Sequence, residues 1–214
     1  KVTAIVGASG SGKTTLLKLL LKFYDATKGN INVGNQNLNN INPNFWRNQC
    51  GVVMQDGFIF SDTIERNINI SDNEIDKDRL INACKMANIF DFIETLPLGF
   101  NTKIGGNGLG VSIGQKQRIL IARAIYKNPD FLFFDEATSA LDAKNEKEIT
   151  DNLNTFFKNR TVIIVAHRLS TVKNADQIVV LENGSITEIG THELLVKNKA
   201  NYFNLVSNQL ELGS

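Results

Sequence analysis

The chain has 214 residues, 42% of them apolar and 21% charged, with a formal net charge of +1. That length can bury a sizeable core in one or two compact domains, and the near-neutral balance gives no ground for a nucleic-acid or acidic-membrane partner. The longest apolar runs, Phe131–Phe134 and Val162–Ala166, have the length of core strands and fall far short of a bilayer span.

Val2–Val6 reads as a buried strand, and Gly7-Ala8-Ser9-Gly10-Ser11-Gly12-Lys13-Thr14 completes the pattern G-x-x-x-x-G-K-[ST] directly after it. Thr15–Leu21 then reads as a helix. In that strand–loop–helix setting, glycines let successive backbone N–H groups turn toward a di- or triphosphate, and the helix N-terminus adds its positive end. Lys13 can reach the β- and γ-phosphates, and the Thr14 hydroxyl can hold Mg²⁺. The candidates for nucleotide binding are Gly7, Ser9, Gly10, Ser11, Gly12, Lys13, Thr14 and Thr15.

Further strands are expected at Asn30–Val33 and Gly51–Met54, the latter followed by Gln55. Cys50 and Cys84 stand in no metal or redox spacing and suit a reducing compartment. Between Ser61 and Leu96 no strand is expected; Ile75, Leu80, Ala83, Ala87, Phe90 and Ile93 recur at helical spacing. Pro97-Leu98-Gly99 ends that insertion, and Gly105–Gly110 leads back to the core. Ser112-Ile113-Gly114-Gln115 reads as a capping box opening a helix through Tyr126. The same helix start, with Gly114 permitting close approach, could form a second phosphate site. Lys116, Arg118 and Arg123 on this helix read by themselves as a solvated face.

Phe131-Leu132-Phe133-Phe134-Asp135-Glu136 is a buried strand ending in two carboxylates, at the sheet edge where α/β folds bind ligands. Beside a phosphate loop, Asp135 suits the metal and Glu136 suits a general base polarising water. Thr161–Ala166 is a further strand ending at His167, a structural residue or a sensor of the γ-phosphate. Gln177–Leu181 and Ser185–Glu188 flank Asn183-Gly184, a strong hairpin signal. The scattered asparagines read as a compositional bias.

In this order the segments resemble the ATP-binding domain of ABC transporters over nearly the whole chain. Gly7–Thr14 is similar to its phosphate loop, Gln55 to the Q-loop and Val111–Gln115 to the signature; Phe131–Glu136, Ser139–Asp142 and His167 match the Walker B strand, the D-loop and the switch histidine. The stretch Gln55–Ile68, with Leu96–Thr102 and Gly190–Leu195, is similar to exporters, and within them looks most like bacterial peptide or bacteriocin exporters. The resemblance implies an α/β fold: a P-loop NTPase core with a mainly parallel sheet, a helical subdomain and a partial antiparallel β subdomain. Residues 1–214 would form one ATP-binding domain, with 1–60 and 111–214 the ATPase core and 61–110 the helical part.

The resemblance further implies an ATPase using ATP and Mg²⁺, with Lys13, Glu136 and His167 catalytic and Thr14, Gln55 and Asp135 at the metal. Ser112, Gly114 and Gln115 would meet nucleotide across a head-to-tail homodimer, and Asp142 would also bind nucleotide. Its partner would be a transmembrane domain fused upstream, with strands and an adenine-stacking aromatic expected before Lys1, and its place the cytoplasmic face of the cell membrane. This chain departs from the pattern at Ile113, where the signature has glycine, and at Gly106, where exporters carry an acid. Ile113 would be strained only if its backbone needed positive φ. The alternatives are a soluble ABC ATPase acting on ribosomes or chromosomes, and a regulatory ATP-binding module with poor hydrolysis.

Overall fold

The computed structural model describes residues 1–71, 74–106, 108–138, 141–166 and 169–212. In chain order it begins with β1 (Val2–Val6) and α1 (Lys13–Leu20), then the two-residue strands β2 (Asn32–Val33) and β3 (Gln36–Asn37). Next come α2 (Pro43–Asn48), β4 (Cys50–Val53), β5 (Asp62–Thr63), α3 (Ile64–Ile68), α4 (Lys77–Met86), α5 (Phe90–Glu94) and β6 (Lys103–Ile104). The remainder is α6 (Ile113–Lys127), β7 (Phe131–Asp135), α7 (Ala143–Phe156), β8 (Thr161–Val165), α8 (Leu169–Val172), β9 (Gln177–Glu182), β10 (Ser185–Gly190), α9 (His192–Asn198) and α10 (Asn201–Leu212).

The chain divides into two compact units. The first holds Lys1–Cys50, Asp130–Glu136 and the chain from Asn159 onward. Its strands run in the order β10-β9-β1-β8-β7. β1 pairs in parallel with β8 and β9, so that Ala4 lies between Ile164 and Ile178, and β7 pairs in parallel with β8. Ala4, Leu132, Val162 and Ile178 are fully buried, the reason these strands read as continuous apolar runs and not as alternations. The β9–β10 hairpin turns as expected at Asn183 and Gly184, both at positive φ (50° and 77°). Trp46 closes the side of this unit, its Nε1 donating to the Leu20 carbonyl (2.8 Å) and its ring 4.8 Å from that of Phe131.

The expected strand Asn30–Val33 shortens to Asn32–Val33, which pairs with Gln36–Asn37 around Gly34. Gly29, at φ 77°, turns the chain just before it.

The second unit holds Gly51–Pro129 and Ala137–Lys158. Helix α6 packs on α3 and α4, and α7 packs on α4. The expected strandless insertion contains a short exception, β5 paired with β6 at Asp62 and Ile104. A two-residue strand is too short to show a period in sequence. Asn67, fully buried, ties this corner together: its Oδ1 accepts from the Phe60 N–H (2.8 Å), and its Nδ2 donates to the carbonyls of Phe60, Asp62 and Thr63. This unit takes in α6 and α7 as well as the insertion, a different partition from one that ends the helical part at residue 110.

Candidate functional site

The phosphate loop leaves the C-terminal end of β1 through Gly7, where a Cβ would stand 2.1 Å from the Leu181 carbonyl oxygen. Only glycine fits that approach. The loop closes on itself through the Ser11 N–H, which donates to the Ala8 carbonyl (3.2 Å). Gly12 then enters α1 at φ 101°, left-handed, with no side chain capping the helix and no acid in its first turn. The leading N–H groups of α1 therefore face an end without a side-chain acceptor, an arrangement suited to an anion. The Ser11 hydroxyl supports the same fit, because its Oγ is buried without a hydrogen-bond partner.

Lys13 is 6% exposed, and its Nζ donates to the carbonyls of Gly7 and Ala8, each at 2.9 Å. Two of the three ammonium donors hold the loop's shape, leaving one for a phosphate oxygen. Burial pushes the ammonium below its usual range, while Glu136 and Asp135 pull it back up. The Thr14 hydroxyl donates to Asp135 Oδ2 at 3.0 Å, joining the phosphate loop to the end of β7. A hydroxyl and a carboxylate oxygen at that spacing are the hard ligands Mg²⁺ prefers. No group of three His, Cys, Asp or Glu side chains capable of holding a metal occurs among the described residues. A cation here would take its other ligands from phosphate and water, as is usual for Mg²⁺. Glu136 stands next in the chain at φ 52°, its N–H donating to the Val165 carbonyl (3.0 Å).

The structure thus gathers Gly7–Thr14, Asp135 and Glu136 at one edge of the first unit, with Ser9, Thr14 and Thr15 exposed. His167 lies outside the described residues, as do Ser139 and Ala140. Gln55, Ser112, Gly114, Gln115 and Asp142 belong to the second unit. Gln55 is exposed in the turn after β4. Ser112 caps α6 in a reciprocal box, its Oγ accepting from the Gln115 N–H (3.2 Å) and its own N–H donating to Gln115 Oε1 (2.8 Å). Ile113 takes the first helical position without positive φ, which removes the strain that a glycine position would have imposed. Asp142 caps α7, Oδ1 accepting from the Asn145 N–H (3.1 Å).

Arg118 and Arg123 do not form a solvated face. Burial pushes Arg123 down to about 10, and its Nε donates to the Asn67 carbonyl (2.7 Å) while the guanidinium lies over the Phe60 ring. Burial lowers Arg118 as well, partly offset by Asp142. Their cause is helix packing: α6 runs against α3 and α4, so side chains that a lone helix would solvate find carbonyl acceptors. A second feature that sequence reasoning missed is the tie from the Gly184 N–H to the Ser11 carbonyl (3.0 Å), which braces the phosphate loop with the β9–β10 turn. Asn-Gly signalled the turn but not what it would touch.

The pattern of the ABC transporter family matches residues 1–139. The chain is 46% identical over 209 residues to multidrug resistance protein pgp-1 of Caenorhabditis elegans, covering 98% of this chain and 16% of that protein. It is equally 46% identical over 209 residues to a putative multidrug export ATP-binding/permease protein of Staphylococcus aureus, of which it spans 36%. Its fold superposes on a bacterial Atm1-family ABC exporter with ATP bound at a TM-score of 0.94 and 40% identity, covering 98% of this chain and 37% of that one. The chain therefore spans well under half the length of these relatives.

Proposed function

This chain belongs to the ABC transporter family as an exporter-type ATP-binding domain, an ATPase, and from that premise we propose that it drives efflux across a membrane by Mg²⁺-dependent ATP hydrolysis. The observation that carries the reading is the 3.0 Å bond from Thr14 to Asp135, which joins the phosphate-loop hydroxyl to the carboxylate that follows a buried strand. Lys13 and the amides of residues 7–14 bind and orient the β- and γ-phosphates. Thr14 and Asp135 would hold Mg²⁺, which would supply charge neutralisation at the phosphate oxygens. Glu136 accepts the proton of the attacking water at its carboxylate. Gln55 at the metal and His167 at the γ-phosphate are assigned by the family resemblance alone.

We place Ser112, Gly114, Gln115 and Asp142 against nucleotide held by a second copy of the chain, in a head-to-tail dimer. The α6 N-terminus suits that role because its box spends the Ser112 and Gln115 N–H groups and leaves Ile113 and Gly114 amides for an anion. The work of closing is passed to a transmembrane portion outside these residues, which selects the cargo; the likeness to peptide exporters makes a peptide the class to try first. Among the described residues no helix is long and apolar enough to cross a membrane. The whole assembly then sits at the cytoplasmic face of the cell membrane, where ATP is supplied.

Phosphate release by the parent chain, Glu136→Gln and Lys13→Ala tests the reading. Glu136→Gln is expected to bind a fluorescent ATP analogue like the parent and to hydrolyse about 10²–10⁴ times more slowly. Lys13→Ala is expected to lose binding. Parent-like turnover by Glu136→Gln would remove Glu136 as the base.

A further inference from the structure

Two helix ends of the second unit are assigned to nucleotide above, the start of α6 at Ser112 and the start of α7 at Asp142. They are not independent. Asn145, in the first turn of α7, donates from Nδ2 to Asp142 Oδ2 (2.5 Å) and so grips the side chain that caps its own helix. Its side-chain oxygen reaches away from α7: Asn145 Oδ1 accepts from Asn88 Nδ2 (2.8 Å) and lies 3.4 Å from Nη1 of Arg118 on α6. The same Arg118 Nη1 donates to the Asn88 carbonyl at 2.5 Å, and Asn88 Nδ2 also donates to Glu148 Oε2 (2.9 Å). Asn88 presents both groups from a left-handed backbone at φ 51°, between α4 and α5.

Arg118 lies one turn beyond Gln115, on the helix whose first turn carries the capping box. Its Nε is buried without a partner. A side chain kept only to fill space would not carry an unsatisfied N–H there, since an alkyl chain fills the same volume without it. What the guanidinium adds over an alkyl chain is a fixed fork, directed at Asn88 and Asn145 and attracted by Asp142.

We propose that Arg118 and Asn145 are positioning residues that lock the cap of α7 to the first turns of α6, so that Asp142 and Ser112–Gln115 approach a partner's nucleotide as one piece. The proposal rests on the dimer reading above for its consequence, but not for the tie itself. In that reading the phosphate loop binds ATP unaided, and the relay governs only how often the two opposing ends arrive together. Loss of the relay then lowers kcat and leaves the KM for ATP in place.

The test combines hydrogen exchange with steady-state kinetics on the parent chain, Arg118→Met, Asn145→Ala and the double variant. Arg118→Met is expected to speed exchange of the Asn145 and Glu146 amides at least tenfold and to leave the Gln115 amide, held by its own capping box, as in the parent. Unchanged exchange at α7 overturns the tie. Each single variant is expected to lose about tenfold in kcat with KM within twofold of the parent, and the double variant to lose no more than the worse single. Fully multiplied losses, or faster exchange with parent kcat, overturn the relay's part in turnover. A parent without Glu136-dependent hydrolysis would overturn the reading on which the consequence rests, and exchange alone would still decide the tie.

Discussion

Cys84 is fully buried in α4, and burial pushes its thiol from 9.0 up to about 12. Below pH 9 the thiol is protonated in both folded and unfolded chains and contributes no pH dependence. Above it the unfolded chain releases the proton and the folded chain does not, so stability falls as pH rises toward 12. Tyr202, also pushed up to about 12 by burial and by Glu193, adds to the same alkaline loss. Between pH 8 and pH 10 the thiol's share is about 1.4 kcal/mol. Urea unfolding at pH 8 and pH 10 is expected to show a drop that Cys84→Ala reduces by that amount, and an equal drop in the variant would remove Cys84 as its source. The asparagines were legible as a bias but not as a device. Four of the seven described non-glycine residues at positive φ are asparagines, at 88, 128, 159 and 183, because asparagine tolerates the left-handed region better than most side chains. Glu136 shares that backbone state with no such excuse; its φ of 52° is held by the bond to the Val165 carbonyl, a local cost of the sort that functional sites retain.

Helix α6 shows what an element can and cannot reveal in sequence. Its start was legible because a capping box is a local pattern, Ser112 and Gln115 three residues apart. Its end was legible only to a residue: Asn128, left-handed, closes it where a glycine would have been the clearer sign. Replacing Ser112 with alanine leaves the Gln115 N–H without its acceptor at a cost of about 1 kcal/mol. For a chain of this length that is a fall of about 2–4 °C in melting temperature, measured by calorimetry without nucleotide; no fall would mean that the cap is replaced by water at no cost. Ile113 is 74% exposed and helical, so it contributes little to the fold and much to whatever approaches the helix end. Ile113→Gly is expected to change the melting temperature less than Ser112→Ala. In a Glu136→Gln background it is expected to raise the ATP-dependent dimer fraction, because a smaller residue lets the first amides come closer to phosphate. Equal dimer fractions would show that the substitution at this signature position is neutral. The roles of Arg118 and Arg123 were not legible, since their acceptors come from outside α6, from the turn between α4 and α5 and from α3.

At the scale of the molecule the sheet order assembles the edge that carries the candidate site. Thr14 and Asp135 are 121 positions apart in the chain and 3.0 Å apart in space. β1 lies between β8 and β9, and β7 lies beyond β8, all parallel, so the chain leaves β1 and β7 at the same edge. The β9–β10 turn reaches back to the loop through Gly184 and Ser11. The dimer is tested at this scale by the solution mass of Glu136→Gln with and without MgATP. A doubling of mass that depends on ATP is expected, and a monomer that still binds ATP would overturn closure by these residues alone. What the sequence determined by itself was local: the phosphate loop, the carboxylates ending an apolar strand, the capping box and the Asn-Gly turn, each written in consecutive residues whose backbone and hydrogen-bonding preferences act over a few positions. Only the tertiary structure decided which carboxylate oxygen meets Thr14, what Gly184 braces, and how Arg118, Asn88 and Asn145 converge. Those contacts join segments distant in the chain, and no spacing along a sequence encodes a distance that strand order and helix packing create.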